Sequence, residues 1–227
     1  NDNVCEDIKL NSRYKITIKD AFKAIHSNLD LVHLILNNNE NDLDFSNHKL
    51  TEIDFLNFIK NYVKEIKSSD KKNVATNLHI NSDIKTELKN KIPILANKEL
   101  LGIAFNNIVE NANKHGFIEL KKNYTLEFKI SLENKIIEIK KGLKEEQKYV
   151  KVEVENDGKP FPKNYSIEQL TRKNSKAGNT GNTGQGGYDL NEIIKYFNKG
   201  ESTLSLKKED PKRNNTTKYL FLIPLNI

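Results

Sequence analysis

Residues 99–117 read ELLGIAFNNIVENANKHGF, and this stretch predicts the centre of the fold. At about 100° of rotation per residue, its apolar side chains fall on one stripe of a helix, which indicates a helix packed on a core. Asn107, Asn111 and Lys114 lie together on the adjacent flank. A helix without a use for that flank would normally carry Glu and Lys there, so the two amides and the ammonium are candidate functional groups.

Two helical patterns precede this stretch. Apolar residues recur at spacings of three and four from residue 16 to about residue 37, and a second periodic run covers 53–68. Residues 1–14 are polar and without periodicity, so we expect a loop or a frayed end there. The sequence therefore predicts a partial helical segment at 1–48 in front of a larger domain at 49–227.

Alternation of apolar and polar residues predicts the strands of a mixed, mainly antiparallel sheet. The predicted strands cover 71–81, 92–95, 124–131, 134–140, 149–156, 202–206 and 218–224. Residues 134–140 are predicted to be the hairpin partner of 124–131, and 142–147 are predicted to be a charged hairpin tip. With helices on one face, the predicted fold is an α/β (α+β) two-layer sandwich, preceded by the short helical segment.

The composition excludes several classes of protein. Of the 227 residues 36% are hydrophobic, which suffices for a buried core. No apolar run approaches the ~18–20 residues that cross a bilayer, so no membrane contact is expected from this piece. The net charge of +6 is spread along the chain without a dense basic block, which disfavours nucleic-acid binding. The single Cys5 suits a reducing compartment, and the absence of Met indicates a piece of a longer polypeptide.

A polar turn follows the predicted strand at 149–156. Residues 156–162 read NDGKPFP. A glycine just past a strand end lets the backbone turn sharply and approach a flat ligand, while the side chain before it can hydrogen-bond the edge of that ligand. An ordinary Asn-Asp-Gly turn is the alternative.

A glycine-rich run leads into the last predicted helix, at 188–197. Residues 178–187 read GNTGNTGQGG, and glycines that free the backbone amides at a helix N-terminus make a phosphate-binding cradle. A Rossmann fingerprint would need a strand directly before the glycines, whereas a polar segment at 163–183 precedes them. That segment, which has few apolar anchors, is predicted to be a mobile lid.

The order of these motifs resembles the GHKL-type ATPases, in the form found in sensor histidine kinases. Residues 99–117 resemble the N box of that family, and 156–158 resemble its G1 box, with Asn156 where the family carries Asp. The glycines at 184–187 resemble the G2 box, and Thr216-Thr217 resembles the terminal nucleotide-contacting threonine. The resemblance covers about residues 97–225.

This resemblance implies that the chain binds ATP with Mg²⁺ and transfers the γ-phosphoryl to a histidine. It implies magnesium on Asn111, catalytic roles for Asn107 and Lys114, and adenine against Asn156. The full set of implied ATP-binding residues is Asn107, Asn111, Lys114, His115, Asn156, Asp157, Gly158, Pro160, Thr183, Gly184, Gln185, Gly186, Gly187, Tyr188 and Thr217. ATP-hydrolysing members generally carry Glu at the position of Asn107, and because Asn cannot take a proton from water, a kinase is favoured over a gyrase-like ATPase.

The resemblance also implies a phosphorelay: a homodimer in the full-length protein, a response regulator as partner, and a cytoplasmic location, with membrane attachment of the parent left open. His26 and His33 lack the acidic residue and the proline that follow the acceptor histidine of the family, so the acceptor is expected upstream of residue 1. Whether the chain is active without that acceptor helix stays open.

Two other functional classes remain open at this point. One is a degenerate, non-catalytic module that senses nucleotide, because the adenine-reading Asp is replaced. The other is a serine kinase of the anti-sigma type. The helical patterns at 16–68 favour the histidine-kinase architecture over the serine kinase.

Overall fold

The computed structural model describes residues 9–11, 16–17, 45–69, 74–118, 123–140, 142–173, 185–210 and 215–227. The chain divides into two compact units, 1–47 and 48–227.

In the first unit, β1 (Lys9–Asn11) pairs antiparallel with β2 (Ile16–Thr17), and Phe45–Asn47 forms a 3-10 turn. The predictions of a loop through residue 14 and of a helix starting at residue 16 are therefore wrong at these strands, because local pairing overrides the weak periodicity there. The rest of that predicted helix, with His26 and His33, lies outside the described residues.

The main sheet of the second unit has five strands. They are β4 (Val74–Ile80), β6 (Tyr124–Lys140), β7 (Leu143–Asn156), β8 (Ser205–Asp210) and β9 (Asn215–Pro224). Their spatial order is β4-β6-β7-β9-β8, with a parallel β4–β6 pair and antiparallel pairs elsewhere among the described strands. The predicted mixed, mainly antiparallel sheet is confirmed.

The helices of this unit are α1 (Phe55–Ser69), α2 (Ser82–Glu87), α3 (Lys98–Asn111), α4 (Ile167–Leu170) and α5 (Gln185–Phe197). Before α1, β3 (Thr51–Asp54) pairs antiparallel with β5 (Pro93–Ala96) in a separate two-stranded sheet. The ring of Phe105 in α3 lies 6.2 Å from that of Phe55, 6.1 Å from that of Phe128 and 5.9 Å from that of Phe221. These aromatic contacts join the helix layer to the sheet, and they form part of the core of the two-layer α/β sandwich.

The β6–β7 hairpin differs from the prediction. Residues 134–140 continue β6 instead of forming a second strand, and 143–147 belong to β7 instead of a hairpin tip. Their ladder runs from Leu126 opposite Asn156 to Lys140 opposite Leu143. The turn is set by Gly142, whose φ of 85° is favourable for glycine, and the polar Asn134 merely interrupts the apolar pattern inside a continuous strand.

Candidate functional site

A pocket of about 340 Å³ opens where the chain leaves the end of β7. It is lined by Gly116, Ile118, Tyr124, Asp157, Gly158, Lys159, Pro160 and Thr216. One wall comes from the π-helical turn Ala112–Gly116 that continues α3, and another from the loop after β7. The fold thus brings together the ends of two stretches that the sequence singled out separately.

The two walls meet at a glycine pair. A Cβ atom on Gly158 would lie 2.7–2.8 Å from backbone atoms of Gly116, closer than real Cβ contacts come. The amide of Lys159 donates to the carbonyl of Gly116 at 2.9 Å. Position 158 is therefore restricted to glycine by the close approach of the two backbones.

Asn156 is the last residue of β7 and is only 3% exposed. Its Oδ1 accepts a hydrogen bond from the amide of Gly158 at 3.2 Å, and its backbone carbonyl accepts one from Thr216 Oγ1 at 3.3 Å. Thr217 lies opposite Asn156 in the β7–β9 ladder and is also buried. The same hydroxyl is also within hydrogen-bond distance of the carbonyl of Gly158, so its single proton is shared between the two carbonyls and ties the loop after β7 to β9.

Asp157 faces the pocket and anchors the same loop to the start of β6. Its Oδ1 accepts a hydrogen bond from the amide of Thr125 at 2.8 Å. The carboxylate is thereby fixed on the pocket wall, while its remaining lone pairs can accept further bonds.

The polar flank of α3 lies beside the beginning of α5. A Cβ on Gly186 would lie 3.2 Å from Asn107 Oδ1, so the glycine brings the two helices close at this point. The Nδ2 atom of Asn107 is buried and has no hydrogen-bond partner among the described residues. A buried donor of this kind is costly unless a ligand satisfies it.

Asn111 lies one helical turn further along the same flank. Its Nδ2 donates to the hydroxyl of Tyr219 at 3.5 Å, and burial raises the pKa of that tyrosine, which therefore stays neutral. This contact leaves the amide oxygen of Asn111 on the opposite side of the carboxamide.

Two cationic side chains follow Asn111. Lys114 forms an exposed ion pair with Glu110, a kind of contact worth little in water, so its ammonium is easily given up to another anion. Burial and then the charge of Lys114 lower the pKa of His115, which favours the neutral imidazole.

The first turn of α5 contains the described part of the glycine-rich run. A Cβ on Gly187 would lie 2.4 Å from the carbonyl oxygen of Leu170, so α4 and α5 touch through the glycine. Burial raises the pKa of Asp189 to about 6, against the hydrogen bond that Gln185 Nε2 donates to it at 2.8 Å. Tyr188 lies beneath the ammonium of Lys173, 5.9 Å from ring centre to Nζ.

No family model and no curated protein matches this sequence, but solved structures do. The Mycobacterial sensor histidine kinase MprB is similar at 11% identity and a TM-score of 0.53, covering 78% of this chain and 97% of that one. The nucleotide-free catalytic domain of the histidine kinase ThkA is similar at 17% identity and a TM-score of 0.53, again covering 78% and 97%. The fold is that of a histidine kinase catalytic domain.

Within the histidine kinase catalytic fold, the predicted site residues fall into two groups. Asp157, Gly158 and Pro160 line the pocket, and Asn107 lies against Gly186 at the start of α5. Thr183 and Gly184 lie outside the described residues. Helix α5 begins at Gln185, earlier than the predicted residue 188, because the glycines are part of its first turn.

Five residues that line the pocket are not in the predicted ATP-binding set: Gly116, Ile118, Tyr124, Lys159 and Thr216. The alternation along β9 could have identified Thr216. Thr217 lies on the inward face of the strand with the buried Tyr219, so the side chain of Thr216 lies on the opposite face. Ile118 follows the end of the π-helical turn, and Tyr124 is the first residue of β6. Neither lies inside a periodic pattern that would single it out.

The segment predicted to be a mobile lid is anchored in its first part. Tyr165 and Leu170 are 7% and 4% exposed, and the ring of Tyr165 stacks on that of Phe161 at 5.2 Å. A capping box of Ser166 and Gln169 starts α4. Residues 174–184 lie outside the described residues.

The residues present fit a magnesium ion that is shared with a nucleotide. No group of three or more His, Cys, Asp or Glu side chains in the described ranges could hold a metal ion alone. Mg²⁺ commonly keeps several waters and takes one or two protein oxygens together with substrate phosphates. The amide oxygen of Asn111, turned away from Tyr219, suits that role. In the part of the chain that the structure describes, no helix is long and apolar enough to span a membrane.

Proposed function

We propose that this chain is the ATP-binding catalytic domain of a two-component sensor histidine kinase and transfers the γ-phosphoryl group of ATP to a histidine. The observation that carries the proposal is the junction of α3 and α5. There, Asn107 approaches Gly186, in the first turn of a 13-residue helix, through its Oδ1, and its buried Nδ2 has no hydrogen-bond partner among the described residues. A helix N-terminus attracts anions, so the start of α5 suits phosphate oxygens, and Asn107 lies next to it.

The proposed roles of the residues are those that the family resemblance implies. The base would occupy the pocket beside Asn156 and Gly158, and Lys114 would leave Glu110 to contact the phosphates. Asn111 would hold Mg²⁺, which supplies charge neutralisation on the phosphate oxygens when bound. Asn107 would orient the terminal phosphoryl group, so that catalysis rests on positioning and on electrostatic stabilisation.

Transfer to a protein side chain is favoured over hydrolysis. A general base must accept a proton from the attacking water, and the carboxamide of Asn107 cannot do so near neutral pH. The proposal includes a catalytic domain at 49–227, a homodimer in the full-length protein, a response regulator as the final acceptor and a cytoplasmic location.

A nucleotide-sensing module without catalysis is the second candidate. It is favoured by the amide at position 156, because an amide oxygen accepts a hydrogen bond more weakly than a carboxylate does. Such a module would bind nucleotide with Mg²⁺ but would not label an acceptor.

The test has two stages. In calorimetric titrations with a non-hydrolysable ATP analogue, we expect saturable binding that needs Mg²⁺ and is lost in Asn111→Ala. Asn61→Ala, on the exposed side of α1, is the matched control and should bind normally. With the acceptor region of the parent added, radiolabelled ATP should give acid-labile phosphohistidine. Binding without label would favour the sensing module, acid-stable label would indicate phosphoserine, and no binding by folded protein would contradict the proposal.

A further inference from the structure

Tyr219 places its hydroxyl group at a fixed point beside α3. The residue lies in β9, opposite Val154 of β7 and Leu206 of β8, and it is 1% exposed. The ring of Phe161 meets its ring edge-on, at 6.4 Å and an interplanar angle of 77°. A side chain packed in this way has few rotamers available, so the sheet determines where the hydroxyl lies.

This hydroxyl is a hydrogen-bond partner of the Asn111 side chain. Asn111 Nδ2 donates to the Tyr219 oxygen at 3.5 Å, which is a long hydrogen bond. A carboxamide has a donor side and an acceptor side. With the NH₂ group of Asn111 directed to Tyr219, its oxygen lies on the side away from that tyrosine.

The opposite orientation of the Asn111 carboxamide is compatible with Tyr219 but not with a metal ion. If the carboxamide were turned over, the tyrosine would donate to its oxygen, and the NH₂ group would face the ion. Mg²⁺ takes oxygen ligands, and an N–H donor repels a cation. A phenyl ring at position 219 would therefore deprive the NH₂ group of this partner in the one orientation that binds metal.

We propose that Tyr219 is a positioning residue for Mg²⁺: its hydroxyl accepts the hydrogen bond of the Asn111 amide and so holds the oxygen of Asn111 toward the ion that accompanies the nucleotide. This inference rests on the proposed function, because it takes Asn111 as the protein ligand of Mg²⁺. It adds a residue of β9 that acts through Asn111 and is not itself a ligand.

The test is calorimetry on the whole 227-residue chain with adenylyl imidodiphosphate, once in excess Mg²⁺ and once in EDTA. Tyr219→Phe removes one oxygen atom and retains the buried ring. We expect this variant to bind the analogue roughly threefold to tenfold more weakly in Mg²⁺, which is the effect of one hydrogen bond. The weaker residual binding in EDTA should be unchanged, whereas a purely structural role of the hydroxyl would weaken binding in both conditions.

Tyr196→Phe is the matched control. It removes a hydroxyl that donates to the carbonyl of His48 at 2.8 Å, near the C-terminal end of α5, and it should bind the analogue like the unmodified chain. Full affinity of Tyr219→Phe in Mg²⁺, or equal losses with and without Mg²⁺, would overturn the inference and leave the proposed function standing. Absence of binding by the folded, unmodified chain would overturn the proposed function itself.

A second measurement, on the unmodified chain, decides the question even if Tyr219→Phe does not fold. The NMR signals of the Asn111 side-chain amide are identified as those that Asn111→Ala removes. When Mg²⁺ and the analogue are added, we expect these protons to exchange with water more slowly, because the ion fixes the carboxamide with its NH₂ group on Tyr219. Unchanged or faster exchange in the complex would overturn the inference.

Discussion

The surroundings of two carboxyl groups, the fully buried Glu155 and the half-buried Asp189, shift their pKa values in opposite directions. Glu155 in β7 is fully buried between Lys129 and Lys218, whose ammonium groups lie 2.5 Å and 2.6 Å from its oxygens. Burial alone would raise the pKa of Glu155, but the hydrogen bonds from these two lysines outweigh it and lower the pKa. Asp189 in α5 has Gln185 as its hydrogen-bond partner, and burial raises its pKa to about 6.

The difference in pKa shift distinguishes a carboxylate that belongs to the structural framework, Glu155, from one beside the candidate site, Asp189. Around Glu155, neighbouring strands supply compensating lysines, and these are paired in turn with Glu127 and Glu153. Asp189 lies in the helix turn that carries the glycines of the proposed phosphate cradle, where its ionisation is disfavoured. Perturbed carboxyls without full compensation are typical of functional sites, whereas fully paired ones stabilise a fold only moderately.

The largest effect is expected from removing the compensated carboxyl. Glu155→Ala leaves two ammonium groups facing each other across β7, and we expect a loss of about 3 kcal/mol in the free energy of unfolding. Urea denaturation measures this loss. Glu133→Ala breaks a more exposed pair with Lys151, 3.3 Å apart, and should cost less than about 1 kcal/mol. Equal losses in the two variants would show that the Glu155 cluster is no more than a surface network.

The contact between α4 and α5 should break in the variant Gly187→Ala. The new Cβ would collide with the carbonyl of Leu170, so we expect a loss of about 2 kcal/mol in the free energy of unfolding. Urea denaturation measures this loss. Gly102→Ala, within α3 and with no atom within 4 Å of its Cβ, is the control and should be neutral or slightly stabilising.

The two carboxyls predict opposite dependences of stability on pH. The folded state holds the proton of Asp189 more tightly than the unfolded chain does, so this contribution is fully present below the ordinary pKa of 3.8 and is lost as pH rises through about 6. The contribution of Glu155 is present above its ordinary pKa of 4.5 and is lost as pH falls through its lowered value.

Asp189→Asn should therefore stabilise the protein by about 1 kcal/mol at pH 7 and should give no gain at pH 4. Urea denaturation across that range checks it, with the exposed Asp83→Asn as control. If Asp189→Asn changed the free energy of unfolding equally at every pH, the raised pKa would not belong to Asp189.

Much of this arrangement could be predicted from the sequence. The apolar stripe of α3, the alternation of β7 and the glycines before α5 each have a local signature, and they predicted the sandwich. The turn after β7 also contains Asp157, Gly158 and Pro160, which line the pocket. The continuity of β6 past Asn134 could not be predicted, since only pairing with β7 decides where that strand ends. The same holds for the lowered pKa of Glu155, which depends on the lysines of neighbouring strands.

The smallest effect tests the ion pair at the edge of the site. Glu110 and Lys114 are more than half exposed, so Glu110→Gln should change the free energy of unfolding by less than about 0.5 kcal/mol. The same change frees the ammonium of Lys114, and if that ammonium meets the phosphates, affinity for a non-hydrolysable ATP analogue should rise about twofold to threefold at low salt. Glu65→Gln, on α1 away from the pocket, removes the same charge and should leave affinity unchanged. A fall in affinity in Glu110→Gln would mean that Glu110 holds Lys114 in its binding position, so that this pair belongs with Glu155 and its lysines among the structural charges.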